Sequence, residues 1–245
     1  METAIWVALI SAAVALASAI FTLWGQVKLK RLSSEIDNLQ QLERERRDAA
    51  KVARRYHEPL ARSAYDLQSR LYNMLAKNFT GRYLDNGDDR ERAYAINNTV
   101  FLIAQYFAWT EIIRIAIQFV DLGSDEQTRQ FARLQDRIFA LFTTDQFPRQ
   151  FRIFAGEQRA LGERMIRATE SGPECIGYGT FIERIGAGSV DPIAEYITKD
   201  VQSLGLEAAR PRLTEVQNAL IDLLDFLDPG YVRFNKLART KVTAA

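Results

Sequence analysis

Hydrophobic residues follow three different rhythms along this chain. They form an uncharged run from Ala4 to Trp24, recur at alternating steps of three and four from Leu29 to Leu39, and fall into helical stripes from Leu60 onward. In a helix the first run would span about 30 Å, the thickness of a bilayer's hydrocarbon core. It ends at Trp24, a residue favoured at headgroup level, and Lys28, Lys30 and Arg31 follow. Basic residues flank the cytoplasmic end of a span, so the pattern predicts a retained anchor, N-terminus out and the remainder cytoplasmic. The alternative is a signal peptide cut after Ala17. That requires a basic residue ahead of the apolar run, where this chain has Glu2.

Beyond the anchor, Leu29, Leu32, Ile36 and Leu39 make the a/d seam of a coiled coil. In register the seam continues with Glu43, Arg46, Ala50 and Ala53, so its apolar part is short. Within the anchor, Ser11, Ala15 and Ala19 repeat every fourth residue, a small-xxx-small face that lets helix backbones approach closely. Together these two patterns predict self-association.

Pro59 predicts the start of a new helix carrying Leu60, Leu67, Leu71 and Leu75, followed by a loop around Gly81 and Gly87. The apolar stretch that follows contains "QYFAWTEIIR". As a membrane span it would hold Glu111 and Arg114 near its centre, each costing about 2.5–3.5 kcal/mol against about 0.3–0.6 returned per large apolar residue. It reads instead as the central buried helix of a folded domain, with Glu111 and Arg114 paired one turn apart. Gly123 and a capping box at Ser124–Gln127 introduce the next helix, with Phe131, Leu134, Ile138 and Phe142 or Leu141 on one face. Phe151, Phe154, Leu161 and Met165 make a further stripe. After a glycine-rich stretch and an Asp191-Pro192 helix start, Leu213, Val216, Leu220, Leu223 and Leu227 form a last helix, stopped by Pro229-Gly230. No alternating strands or long repeats stand out. The expected class is all-α: an anchor over 1–27, a juxtamembrane coiled-coil helix over 28–57, and a cytoplasmic helical domain over 58–245.

Composition narrows the chemistry. A net charge of +1 over 245 residues gives no bulk attraction for nucleic acid. The one cysteine, Cys175, rules out an intramolecular disulfide and suits a reducing compartment, and the one histidine, His57, rules out any site needing two imidazoles. Cys175 and His57 are the only possible thiolate–imidazole pair, and they lie in unrelated segments. Glu215, Asp222 and Asp225 would project from similar sides of the last helix, with Asp228 following, and a solvated face is a simpler reading than a cation site. Arg149, Arg152 and Arg159, with Arg164 and Arg167, alternate with aromatics as a candidate anionic surface for lipid headgroups or phosphates. The glycines of "CIGYGTF" and "IGAGSVD" match no phosphate-binding fingerprint and read as turns. "QYFAWTEIIR" and "GEQRALGERMI" are the most distinctive segments.

The function expected is that of a membrane-anchored scaffold, adaptor or assembly subunit. Its partners would be the bilayer through residues 4–24, further copies of itself, and an unidentified protein, with no nucleic acid, cofactor or metal. Two rivals are a membrane-acting effector using residues 100–120 and a membrane-bound enzyme whose scattered Arg, Asp and Glu residues assemble only in three dimensions.

Overall fold

A computed structural model describes residues 2–116, 125–186, 192–202 and 206–243. Side chains are not described for 2–15, 17, 19, 20, 27, 45–54, 116, 125, 186 and 206. The chain is mostly helical and divides into two compact units, Met1–Asp48 and Ala49–Ala245.

Helix α1 runs Glu2–Ala76. Pro59 was expected to begin a helix, yet it lies inside this one. Tyr56 before it and Leu60, Ala61 and Ala64 after it are all buried in the same core, and that packing outweighs the one backbone hydrogen bond a proline removes. Among the described residues no helix is long and apolar enough to cross a membrane. Most of the Ala4–Trp24 run, with Ser11, Ala15 and Ala19, lies outside the residues whose side chains are described. Of the seam positions, Leu29, Leu32, Ile36, Leu39 and Glu43 have described side chains, and all are exposed.

In the second unit a single turn of π-helix, Gly81–Asp85, follows α1, and α2 runs Asp89–Ala116. The expected loop is therefore shorter than its composition suggests. Asp88 and Glu91 close a capping box at its end: the Glu91 N–H donates to Asp88 Oδ1 (2.7 Å) and the Asp88 N–H to Glu91 Oε2 (3.1 Å). The interior of α2, including Ile103, Ala104, Ala108 and Ile112, is almost wholly buried, as expected for a central helix.

Helix α3 (Asp125–Thr143) packs on α7 (Leu206–Leu227), and α4 (Ala155–Arg164) on α2. The residues that would show the Gly123 stop, the cap at Ser124 and Asp191 lie outside those described. Phe154 does not join the core stripe. It is the exposed N-cap of α4, where its N–H donates to Glu157 Oε2 at 2.8 Å. A hairpin was not expected: β1 (Ile166–Thr169) pairs antiparallel with β2 (Gly172–Cys175), in register Ile166 with Cys175 and Thr169 with Gly172. Gly172 turns the chain at φ +116°, a conformation that favours glycine, and a Cβ there would lie 3.1 Å from the Tyr56 hydroxyl. Helices α5 (Tyr178–Gly186) and α6 (Pro192–Gln202) complete the layer. Gly179 is thus helical rather than a turn.

Arg212 of α7 is fully buried and fixes the chain after α3. Its guanidinium donates to the carbonyls of Leu141 (2.5 Å), Phe142 (3.1 Å), Thr144 (2.9 Å), Pro148 (3.1 Å) and Gln150 (3.1 Å). These include carbonyls of the last helical turn of α3, which have no partner within the helix. The C-terminal segment lies along α7 and is held by side-chain amides. Gln217 Nε2 donates to Thr240 O (2.9 Å), Asn218 Nδ2 to Val242 O (3.0 Å) and Gln68 Nε2 to Ala238 O (3.0 Å).

Candidate functional site

The two distinctive segments, 105–114 on α2 and 156–166 through α4, meet face to face. Gly162 makes the meeting possible. A Cβ there would come 2.6 Å from the Phe107 carbonyl oxygen and 3.1 Å from Glu111 Cβ, so a larger residue would push the two backbones apart. Beside this contact a polar cleft of about 230 Å³ opens between α2, α3 and α4. Glu111 and Arg114 line it from α2, Gln135 and Asp136 from α3, and Gln158 and Arg159 from α4.

Glu111 is buried, and its carboxylate accepts from both Arg114 Nε (2.8 Å) and Arg114 Nη2, the two-pronged geometry that suits a guanidinium. The pairing expected one helical turn apart is present. Gln158 is anchored by its Nε2, which donates to Ile153 O (2.9 Å), Thr143 Oγ1 (2.8 Å) and Phe139 O (3.1 Å). Its Oε1, like Gln135 Nε2, has no hydrogen-bond partner among the described residues. Buried polar atoms without partners are uncommon, and here two belong to residues lining a cleft that also holds two acids, Glu111 and Asp136, and two arginines, Arg114 and Arg159. Burial also raises the Tyr106 hydroxyl above its ordinary pKa, which keeps it a neutral donor.

The remaining candidates are dispersed. Arg149 and Arg152 line one cleft together with Glu157 and Asp200, whereas Arg159 belongs to the cleft just described. The acidic row is not simply a solvated face. Asp222 accepts from Arg137 (2.9 Å) and pairs with Lys241, Glu215 reaches Arg137 at 3.5 Å, and Asp225 and Asp228 hold Arg239. These carboxylates clasp α3 and the C-terminal segment to α7. Among the described residues no cluster of His, Cys, Asp or Glu would hold a metal ion.

Burial pushes the Cys175 thiol up to about 12, and its Sγ donates to Ile176 O at 3.4 Å. Such a thiol is not ionised near neutrality and is a poor nucleophile. His57 stands among Arg233, Asp228 and Glu58. Burial, then Arg233, lowers its pKa. The two residues serve separate neighbourhoods.

In the first unit, Leu29, Leu32, Ile36 and Leu39 are 45–67% exposed, and Leu42 adds a fifth exposed apolar residue. Trp24 is exposed as well, with Lys28 Nζ 5.2 Å from its ring centroid. In the second unit a cavity of about 570 Å³ lies between α2, α4, α5 and α6, walled by Val100, Leu161, Met165 and Phe181. At its rim Arg184 Nη1 donates to Arg164 O at 2.7 Å. No family model, curated protein or solved structure matches the chain.

Proposed function

We propose that this chain is a single-pass, membrane-anchored helical protein that acts by protein–protein interaction, as a scaffold, adaptor or assembly subunit, and self-associates through the anchor and the 29–53 helix. One observation carries the reading: the row Leu29, Leu32, Ile36 and Leu39 presents large apolar side chains at a/d spacing to solvent. An apolar stripe of this kind is stabilised when a second helix covers it, with each knob entering a hole on its partner. The Ser11, Ala15 and Ala19 face extends the same tendency into the anchor.

The anchor itself would be residues 4–24, with the N-terminus out and the helical domain in the cytoplasm. Trp24 beside Lys28, and then Lys30 and Arg31, supply the aromatic and basic border of such a span. Helix α2, which ends at Ala116, buries most of its apolar residues in the domain core, which favours binding over bilayer insertion by residues 100–120, of which 117–120 lie outside those described.

The test is native mass spectrometry of the full-length protein extracted from its host membrane, beside a Leu32→Glu/Ile36→Glu variant. The wild type should emerge as a homo-oligomer, with or without a stoichiometric second protein, and the variant as a monomer. An oligomer that persists in the variant would move self-association away from the seam. A protein recovered without detergent in the soluble fraction would remove the anchor.

A further inference from the structure

Arg70 lies on α1 within the second unit and is only 9% exposed, yet no carboxylate pairs with it among the described residues. Its Nη2 donates to Asn98 Oδ1 at 2.5 Å, a neutral acceptor, and its Nη1 has no hydrogen-bond partner among the described residues. The guanidinium lies 4.4 Å from the ring centroid of Phe79 and 5.9 Å from that of Tyr94. Burial lowers the Arg70 pKa, opposed by the hydroxyls of Tyr94, Tyr178 and Tyr83. A buried arginine is ordinarily paired, because taking a charge out of water costs more than cation–π contacts return.

The space in front of Arg70 is a cleft of about 530 Å³. Lys77 and Arg82 line it, with Asn73, Tyr83 and Tyr94, and no Asp or Glu is among its lining residues. Three cations therefore converge on one cavity without an acid. The backbone that delivers two of them is unusual. Asn78 sits at φ 50°, and the next turn, Gly81–Asp85, is π-helical, a form found mostly as single turns and often at functional sites. The Asn78 side chain occupies the space a Cβ on Gly81 would need, 2.4 Å from Asn78 Oδ1. This tight turn carries Arg82 and Tyr83 back over the end of α1, opposite Arg70.

We propose that this cleft binds the phosphate group of an organic phosphomonoester, with Lys77 and Arg82 as its ligands and Arg70, whose Nη1 is shielded from solvent, supplying positive charge from the cleft wall. A phosphate dianion matches three cations better than a single carboxylate does, and a guanidinium fork fits its oxygens. The volume exceeds that of inorganic phosphate and lies within the about 300–1,000 Å³ of small-molecule sites. The rest of the ligand lies against Tyr83 and Tyr94. The site depends neither on self-association nor on an anchor.

The phosphate can belong to a soluble metabolite or to a lipid headgroup, and one experiment separates the two. Full-length protein in phosphatidylcholine nanodiscs is melted with glycerol 3-phosphate, with inorganic phosphate, or with acetate at matched ionic strength, and again in nanodiscs containing phosphatidic acid. A melting temperature that climbs with glycerol 3-phosphate but not acetate assigns a soluble ligand. A rise only with phosphatidic acid assigns the headgroup. Lys77→Gln/Arg82→Gln, at two exposed positions, should weaken binding about 10-fold or more. Arg70→Met should abolish the phosphate-dependent shift while leaving the phosphate-free melt as high as wild type or higher, the reverse of what a purely structural arginine would do. No phosphate-specific shift in either membrane, or a shift undiminished in the Lys77/Arg82 variant, overturns the proposal.

Discussion

Leu32 and Leu67 belong to the same helix, α1, and have opposite environments: Leu32 is 54% exposed and Leu67 is fully buried. Both stand at helical spacing among apolar neighbours, so local pattern does not separate them. The difference is what covers them. Leu67 belongs to a stripe, with Leu60, Ala64 and Leu71, that is closed over by the core of its own chain. In the first unit the corresponding stripe is exposed among the described residues, and the proposed self-association would cover it. An amphipathic helix records that something packs on it and leaves open whether that partner lies in the same chain.

The largest effect that would sharpen this contrast comes from the polar interior of the second unit. Arg212→Ala leaves four carbonyls, those of Leu141, Thr144, Pro148 and Gln150, without a donor, while Phe142 O keeps the Ile153 N–H, and should cost at least about 4 kcal/mol in a denaturant titration. Arg212→Lys should not restore the loss, since an ammonium cannot reproduce the planar five-donor fork. Recovery with lysine would mean the interior tolerates rearrangement, and the contrast between a closed core and an open seam would weaken.

The two leucines give the next effect. Leu67→Ala should destabilise the domain by about 2–5 kcal/mol through transfer loss and cavity formation. Leu32→Ala should move intramolecular stability by no more than about 0.5 kcal/mol, and should act on oligomer dissociation instead. Equal losses at the two sites, measured well below the concentration of assembly, would show that the seam is covered from within.

His57 gives the smallest. Burial and Arg233 hold its folded pKa below the unfolded value of 6.5, so the folded state favours the neutral ring. Its contribution to stability is complete above that value and is lost as pH falls toward the folded pKa, because the unfolded chain takes up the proton first. The melting temperature should therefore fall between pH 7.5 and 5.5, by less in His57→Gln than in wild type.

Much of the second unit was legible in its periodicity: the central α2, the Glu111–Arg114 pair and the α7 stripe all follow from residue spacing. The hairpin was not legible, because strands of four residues are too short to show alternation and Gly172 acquires its role only against Tyr56. The start of α2 was missed although Asp88-x-x-Glu91 has capping-box form. The polar stretch around it, with Gly87 beside it, read as loop. Arg212 left one faint trace, an arginine four residues before Val216 on the apolar side of its helix.

The sequence by itself determined that this is a mostly helical chain, with an apolar leading segment, a short heptad seam and a domain of amphipathic helices, because those properties reside in local spacing. Only tertiary structure decided that Gly162 brings 105–114 against 156–166, that the acidic row of α7 clasps the C-terminal segment, and that Arg70, Lys77 and Arg82 face one cavity. Those outcomes depend on which faces meet across distant stretches of chain. Charge and burial at a residue are set by neighbours that its own sequence neighbourhood does not contain.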